Sequence, residues 1–308
     1  MKIMKRYIIL LFLLVSISIS SAQQDPQYTQ YMYNMSVVNP AYAGSKDAIS
    51  LGLLYRKQWV NIEDAPSTAT LFAHTSVGSN VGLGFSFISD RIGPVKETNA
   101  YGDFSYTLKF SDNNEINNLA FGIKAGFTIH NVGLFDDINF TLIDPGDIAF
   151  SQNSNNTFFN FGAGVFYYTN NYYLGFSMPN ILNAVHLDIN GRKIGTEVEH
   201  FFLTGGYVFD MSDTIKFKPS FMLKTALSAP TSLDISANIF YNEMIEGGLT
   251  YRTGDSFGAM VNFNITPELR VGYAYDYITS DLNIATNASH EIMILYDLPS
   301  FGSRCKCF

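Results

Sequence analysis

Phe257-Gly258-Ala259-Met260-Val261-Asn262-Phe263-Asn264 and, shortly after, Leu269-Arg270-Val271-Gly272-Tyr273-Ala274-Tyr275-Asp276-Tyr277 alternate almost residue by residue between apolar and small or polar side chains. A strand sends successive side chains to opposite faces, so each run has one greasy face and one small or polar face. Phe257, Val261, Phe263, Leu269, Val271 and Tyr273 fall on the first, Arg270 and Asp276 on the second. A soluble sandwich would bury the greasy face, whereas a membrane barrel would turn it to lipid.

The period of two recurs along most of the chain. Alternation and turn punctuation place strands at 47–57, 66–76, 80–90, 97–110, 117–130, 156–168, 172–178, 199–209, 214–226, 231–241, 244–253, 256–264, 268–277 and 289–297. About fourteen strands is an even number, as single-chain bacterial outer-membrane barrels require. Tight connections at Gly78-Ser79, Thr169-Asn170-Asn171, Met211-Ser212-Asp213, Asn242-Glu243 and Ile265-Thr266-Pro267 fall on one side of such a barrel. The long connections 131–155, 179–198 and 278–288 fall on the other, matching short periplasmic turns and longer outer loops. Many of these strands are longer than the five or six residues usual in soluble sheets. Tyr167-Tyr168, Tyr172-Tyr173, Tyr207, Tyr241 and Tyr275 to Tyr277 sit near strand ends, where aromatic girdles are expected. The fold expected is an all-β, transmembrane, antiparallel up-and-down barrel.

The ends read differently. Residues 1–22 begin Met-Lys-Ile-Met-Lys-Arg, run apolar from Tyr7 to about Ile17 and exit through Ser18-Ile19-Ser20-Ser21-Ala22. These are the parts of a cleavable export signal, with cleavage expected after Ala22. The run is short of the roughly 20 apolar residues that cross a bilayer, and no Cys follows it for a lipid anchor. Residues 23–46 lack clean alternation and form a lead segment that could plug the lumen. The barrel is expected over 47–298 and a tail over 299–308. In that tail Cys305 and Cys307 are separated by one residue, an awkward geometry for a disulfide and a weak metal signal.

The inward faces carry charges of both signs: Asp103, Lys109, Lys124, Lys216, Lys218, Lys224, Asp234, Glu246, Arg252, Arg270 and Asp276. Charges this confined must pair with one another or with water, which points to an occupied lumen rather than a broad pore. The whole chain has a net charge of -8, and since residues 1–22 carry only basic side chains the acidic excess lies entirely after residue 22, which argues against nucleic-acid binding.

No enzymatic chemistry is legible. His74, His130, His186, His200 and His290 fall in no metal or catalytic pattern. Asp136-Asp137 and Asp144-Pro145-Gly146-Asp147 lack the terminal bidentate Glu of a calcium loop and read as turn chemistry. Gly82-Leu83-Gly84 has no following helix to make a phosphate site. No catalytic residue, cofactor or metal is expected.

Several short blocks, taken in order, resemble the PorP/SprF family of outer-membrane proteins of the Bacteroidetes type IX secretion system. They begin with Gln30-Tyr31-Met32-Tyr33-Asn34, Asn39-Pro40-Ala41-Tyr42-Ala43-Gly44 and Arg56-Lys57-Gln58-Trp59. Gly82-Leu83-Gly84 with Asp90 and Gly93, then Leu249-Thr250-Tyr251-Arg252-Thr253-Gly254-Asp255, continue the series. Leu269 to Tyr277, including Arg270, Gly272, Tyr275 and Asp276, and Ser289-His290-Glu291 complete it. The Cys-Lys-Cys of the tail departs from the pattern. The resemblance implies an outer-membrane location, type IX components as partners, and a role in export or surface anchoring of a secreted cargo with a C-terminal sorting domain. For gliding relatives it implies large mobile adhesins.

Two expectations of other classes stand beside this: a channel or transporter for small or hydrophobic solutes, and a soluble secreted β-sandwich. Leu134, Phe135, Phe140, Ile181 and Leu182, on long connections of one side, are the candidate recognition surface for cargo.

Overall fold

The computed structural model describes residues 27–46, 48–110, 115–133, 154–182, 185–189, 192–196, 199–226, 229–286 and 288–299. The expected export signal at 1–22, most of 131–155 and nearly all of the expected tail, Cys305 and Cys307 included, lie outside them, as do Leu134, Phe135 and Phe140.

The strands are β1 (Ala48–Lys57), β2 (Ser67–Val77), β3 (Val81–Ile92), β4 (Val95–Lys109), β5 (Asn117–Val132), β6 (Ser154–Thr169), β7 (Tyr172–Met178), β8 (Val185–Ile189) and β9 (Arg192–Thr196). They continue as β10 (His200–Tyr207), β11 (Phe209–Asp210), β12 (Ile215–Ala226), β13 (Ala229–Tyr241), β14 (Ile245–Arg252), β15 (Ser256–Asn264), β16 (Leu269–Ile278) and β17 (Ala288–Pro299). Each barrel strand pairs antiparallel with its neighbours in the chain, and β1 closes the sheet on β17, with Arg56 directly opposite Glu291. Strands β8 and β9 form a separate hairpin inside the 179–198 connection. Strand β11 continues β10 in one register against β12, since Gly206 faces Ser220 and Phe209 faces Phe217. The ladder to β12 is interrupted at Tyr207-Val208, opposite Pro219 and Lys218, and Pro219 has no N–H to donate. Counting β10 and β11 as one stave, the barrel is closed and fourteen-stranded.

Closure leaves no sheet edge, which is what lets strands cross lipid. Among the described residues no helix is long and apolar enough to cross a membrane. The outward positions carry the apolar side chains: Leu51, Leu53, Phe121, Ile123, Ile235, Ile239, Phe257 and Phe263 are all exposed. Their sequence neighbours, Gly122, Lys124, Asp234, Ser236 and Asn262, are buried inside. Outside, Tyr167, Tyr172 and Tyr207 form a row with ring centroids about 6 Å apart. Two tyrosines expected in that girdle, Tyr168 and Tyr173, instead point inward and pack on Phe166. They occupy the even-numbered and odd-numbered inward positions of β6 and β7, so strand parity overrides composition there.

Strand β1 begins and strand β17 ends at the same end of the barrel, here called the near end. The turns at 78–80, 170–171, 211–214, 242–244 and 265–268 are there too. The far end carries the connections 58–66, 179–199 and 279–287, together with the tight turns 93–94 and 253–255. Two charges assigned to the lumen sit at the near rim instead: Lys109 is exposed, and Lys216 pairs with the open Glu243 at 3.0 Å. Strand ends at a rim meet water, so facing inward there does not mean burial.

Ile123 lies within the outward apolar band of β5 and is 62% exposed. Ile123→Arg is expected to destabilise the barrel in lipid by about 2–4 kcal/mol, the cost of a cation near a bilayer midplane. Urea unfolding in liposomes, followed by fluorescence of Trp59, the one tryptophan of the chain, measures it.

Candidate functional site: the occupied lumen and its far-end vestibule

Interior width sets the problem. Eight strands close around their own side chains, whereas sixteen to eighteen leave an aqueous channel. Fourteen strands leave room that wall side chains do not fill, and polypeptide occupies it here. Residues 27–46 lie inside the barrel with almost every side chain buried.

The path of this lead segment follows from its contacts. Gln27 and Tyr28 begin at the far end, where Arg252 donates to the Gln27 Oε1 and the Tyr28 carbonyl, both at 3.1 Å. The chain descends through a short 3-10 turn, Tyr31–Tyr33, until the Tyr33 hydroxyl donates to Glu246 close to the near end. It returns to mid-height through the helical turn Met35–Val38, where Lys124 Nζ donates to the Val37 carbonyl at 2.7 Å and Ser177 Oγ to the Val38 carbonyl at 2.9 Å. A second 3-10 turn, Pro40–Tyr42, brings it down to β1.

Three groups of charges grip this segment. In the first, Arg56 pairs with Asp276 at 2.6 Å and Glu291 at 3.3 Å, all three almost fully buried. Arg56 also donates to Thr29 Oγ1, which donates onward to Asp276. Glu291 accepts the consecutive backbone N–H groups of Thr29 and Gln30, each at 2.9 Å. In the second, Arg252 makes a forked pair with Asp234 at 2.8–3.0 Å and reaches Asp255 at 3.3 Å. In the third, near the other end, Glu246 takes Lys218 at 3.1 Å and Arg270 at 3.9 Å, while Asn238 Nδ2 donates to it at 2.7 Å. The Arg270 guanidinium lies 4.9 Å from the Tyr33 ring, a cation-π contact.

The opposite wall is shaped rather than charged. Pro40 starts its turn with a missing N–H that costs nothing there, and Asn39 Oδ1 accepts the Ala41 N–H at 3.0 Å as a cap. Asn39 Nδ2 donates to the Val165 carbonyl at 3.0 Å. A side chain at Gly122 would collide with the backbone of Pro40 and Ala41, and one at Gly82 with the Ala43 carbonyl. These two wall glycines allow backbone to lie directly against backbone. Tyr42 meets His74 and Phe166 edge-on, each with ring centroids 5.2 Å apart. Gly44 takes φ +74° at the bend into β1.

The residues singled out in the sequence therefore divide. Arg56, Arg252, Asp276 and Glu291 converge on the start of the lead segment, and Arg270 and Gly272 on its middle, with Gly272 against Gln30 and Asn262. Asn39, Pro40, Ala41, Tyr42 and Gly44 belong to the lead segment itself. Gln58, Trp59 and Gly254 lie in far-end turns, the last two with positive φ. Tyr275 and His290 are apart from all of these, stacked edge-on on the outward face at 5.4 Å, where Tyr273 hydrogen-bonds His290 Nδ1 at 2.6 Å. The sequence reading missed Thr29, a bridge between Arg56 and Asp276, and quoted Tyr33 in the lead block without its partner Glu246. Their signal is faint: two polar or aromatic residues in a stretch without alternation.

Above the lead segment the lumen opens at the far end into a vestibule of about 830 Å³ counting its open mouth. No group of His, Cys, Asp and Glu among the described residues is arranged to hold a metal.

A family model described as "Type IX secretion system membrane protein PorP/SprF" matches residues 20–296. A comparison with curated proteins gives no match. Solved structures similar in outline include the Acinetobacter baumannii outer membrane protein Omp33, at 10% identity and TM-score 0.49 over 83% of this chain and 100% of that one. The KdgM porin matches at 10% identity and TM-score 0.35 over 80% and 98%. A mutant of Rh. blastica porin matches at 8% and 0.33 over 82% and 99%.

Arg56→Ala would leave two carboxylates buried beside the lead segment without their cation. A loss of about 3–5 kcal/mol is expected, against less than about 1 kcal/mol for Lys216→Ala at the rim. The same Trp59 unfolding measurement in lipid compares the two.

Proposed function

The chain belongs to the PorP/SprF family of type IX secretion system membrane proteins, and from that premise we propose that it serves export or surface anchoring of a cognate secreted cargo. It is a component of that system in the bacterial outer membrane. The finer role is one of recognition: the barrel presents its far end to a secreted protein with a C-terminal sorting domain, such as a large gliding-motility adhesin. It performs no catalysis in this reading.

The observation that carries the proposal is the occupied lumen. A solute channel needs a continuous water path, and an export pore for unfolded chain needs a wider one. Here the lead segment blocks the interior, held by three buried charge groups and by wall glycines that admit its backbone. Such an object acts at its ends. With the near end taken as periplasmic, as short turns there suggest, the far end faces the cell exterior. Ile181 and Leu182 are exposed at that end, their N–H groups held by Phe161 and Asn160. Exposed apolar residues on an anchored loop suit binding of a partner.

Removal of 179–198 is expected to leave the barrel in the outer membrane, read by heat-modifiable migration, while cargo display at the surface is lost. Normal display in that variant would sink the proposal. In planar bilayers the intact protein is expected to show no steady conductance; sustained solute flux would favour the channel reading.

A further inference from the structure

The vestibule at the far mouth has a closed floor and a mixed wall. Tyr28, Tyr31 and Val38 of the lead segment form the floor, while Ile88, Phe202 and Met222 face one another around the wall. Polar and charged side chains make up about half of the lining, Glu97, Asn99, Asn180 and Lys224 among them, with Lys124 and the Arg252–Asp234 pair. A concave pocket in which apolar side chains alternate with placed polar and charged groups has the build of a ligand site. A floor made of the protein's own chain makes it a receptor and not a passage.

The lower wall shows what this lumen recognises. It already holds a polypeptide, by side chains and also by its main chain: Arg252 on the Tyr28 carbonyl, Glu291 on two N–H groups, Lys124 and Ser177 on the Val37 and Val38 carbonyls, Ser105 on the Ala43 carbonyl at 2.5 Å. The vestibule continues that interface upward, between the same strands and directly on the lead segment. Resting on the functional reading above, we infer that the vestibule binds an extended segment of the exported partner, which lies on the lead segment and inserts apolar or aromatic side chains between Ile88, Phe202 and Met222. The 179–180 corner, Pro179 and Asn180, lines the same cavity, so the exposed loop and the vestibule form one continuous recognition surface.

The test uses the full chain in its own cells. Met222→Trp and, from across the barrel, Ile88→Trp each place an indole in the vestibule, and Met222→Leu serves as the conservative control. Outer-membrane assembly is read by heat-modifiable migration, and export by mass spectrometry of medium and cell surface beside a strain lacking the chain. Both Trp variants are expected to assemble and to lose the same exported proteins as the deletion strain, with Met222→Leu exporting normally. Full export from an assembled Trp variant overturns the vestibule site while leaving the functional reading intact. A deletion strain that exports everything normally overturns the functional reading instead. Should the Trp variants not assemble, a photo-crosslinking residue at Phe202 decides. An adduct with a protein that the deletion strain fails to export is expected, and none at Phe202 overturns the site.

Discussion

Everything inside this barrel depends on how Arg56 is neutralised. Its guanidinium lies between Asp276 and Glu291 where almost no water reaches, and an ion buried without partners costs several kcal/mol. The two carboxylates carry more acceptor capacity than one guanidinium satisfies. The surplus is met by Thr29 and Gln30, whose hydroxyl and N–H groups come from the lead segment. The wall charges and the segment therefore require each other: without the segment Glu291 loses two donors, and without the charges the segment loses its upper anchor. A buried charge group of this kind is a weak source of net stability and a strong source of position.

The same logic explains why the outside was easier to read than the inside. Lipid accepts only apolar side chains, so every outward position of β15 and β16 had to be apolar or small, and the alternation at 257–277 followed. Fourteen staves and their closure were legible from that rule and from turn residues, with ends correct to within two residues at most boundaries. Asp276 and Arg270 could be placed inward by parity. Arg56 could not be assigned its partners, because Glu291 meets it only across the β1–β17 closure and Asp276 only one stave further. The lead segment shows no period at all. It is contacted on every side, so no face of it is under a single solvent's constraint. The hairpin of β8 and β9 within the 179–198 connection was likewise illegible, being short and free of the lipid rule.

The wall glycines are an interior feature with a sequence signature of its own. Gly82 and Gly122 stand at inward positions where other strands carry polar side chains, and a strand gives up packing and entropy by placing glycine there. Such a position is retained when another backbone must come close, and Ala43 and Pro40-Ala41 do. Glycines at inward parity, opposite a segment without alternation, are together a readable sign of a filled barrel. Neither half of that sign suffices alone.

The two ends of the lumen are consequently unequal. Tyr33, Lys218, Glu246 and Arg270 close the near end with a packed ionic and aromatic layer, and Tyr42, Phe166 and Tyr173 fill the space beside it. Among the described residues the far end has no such layer above Tyr28 and Val38, and the vestibule remains. In a secretion component whose long connections share that side, the asymmetry converts a barrel into a socket. The lead segment then has two roles from one placement: it closes the interior to flow, and its upper residues, Tyr28, Tyr31 and Val38, supply the surface on which a partner would rest.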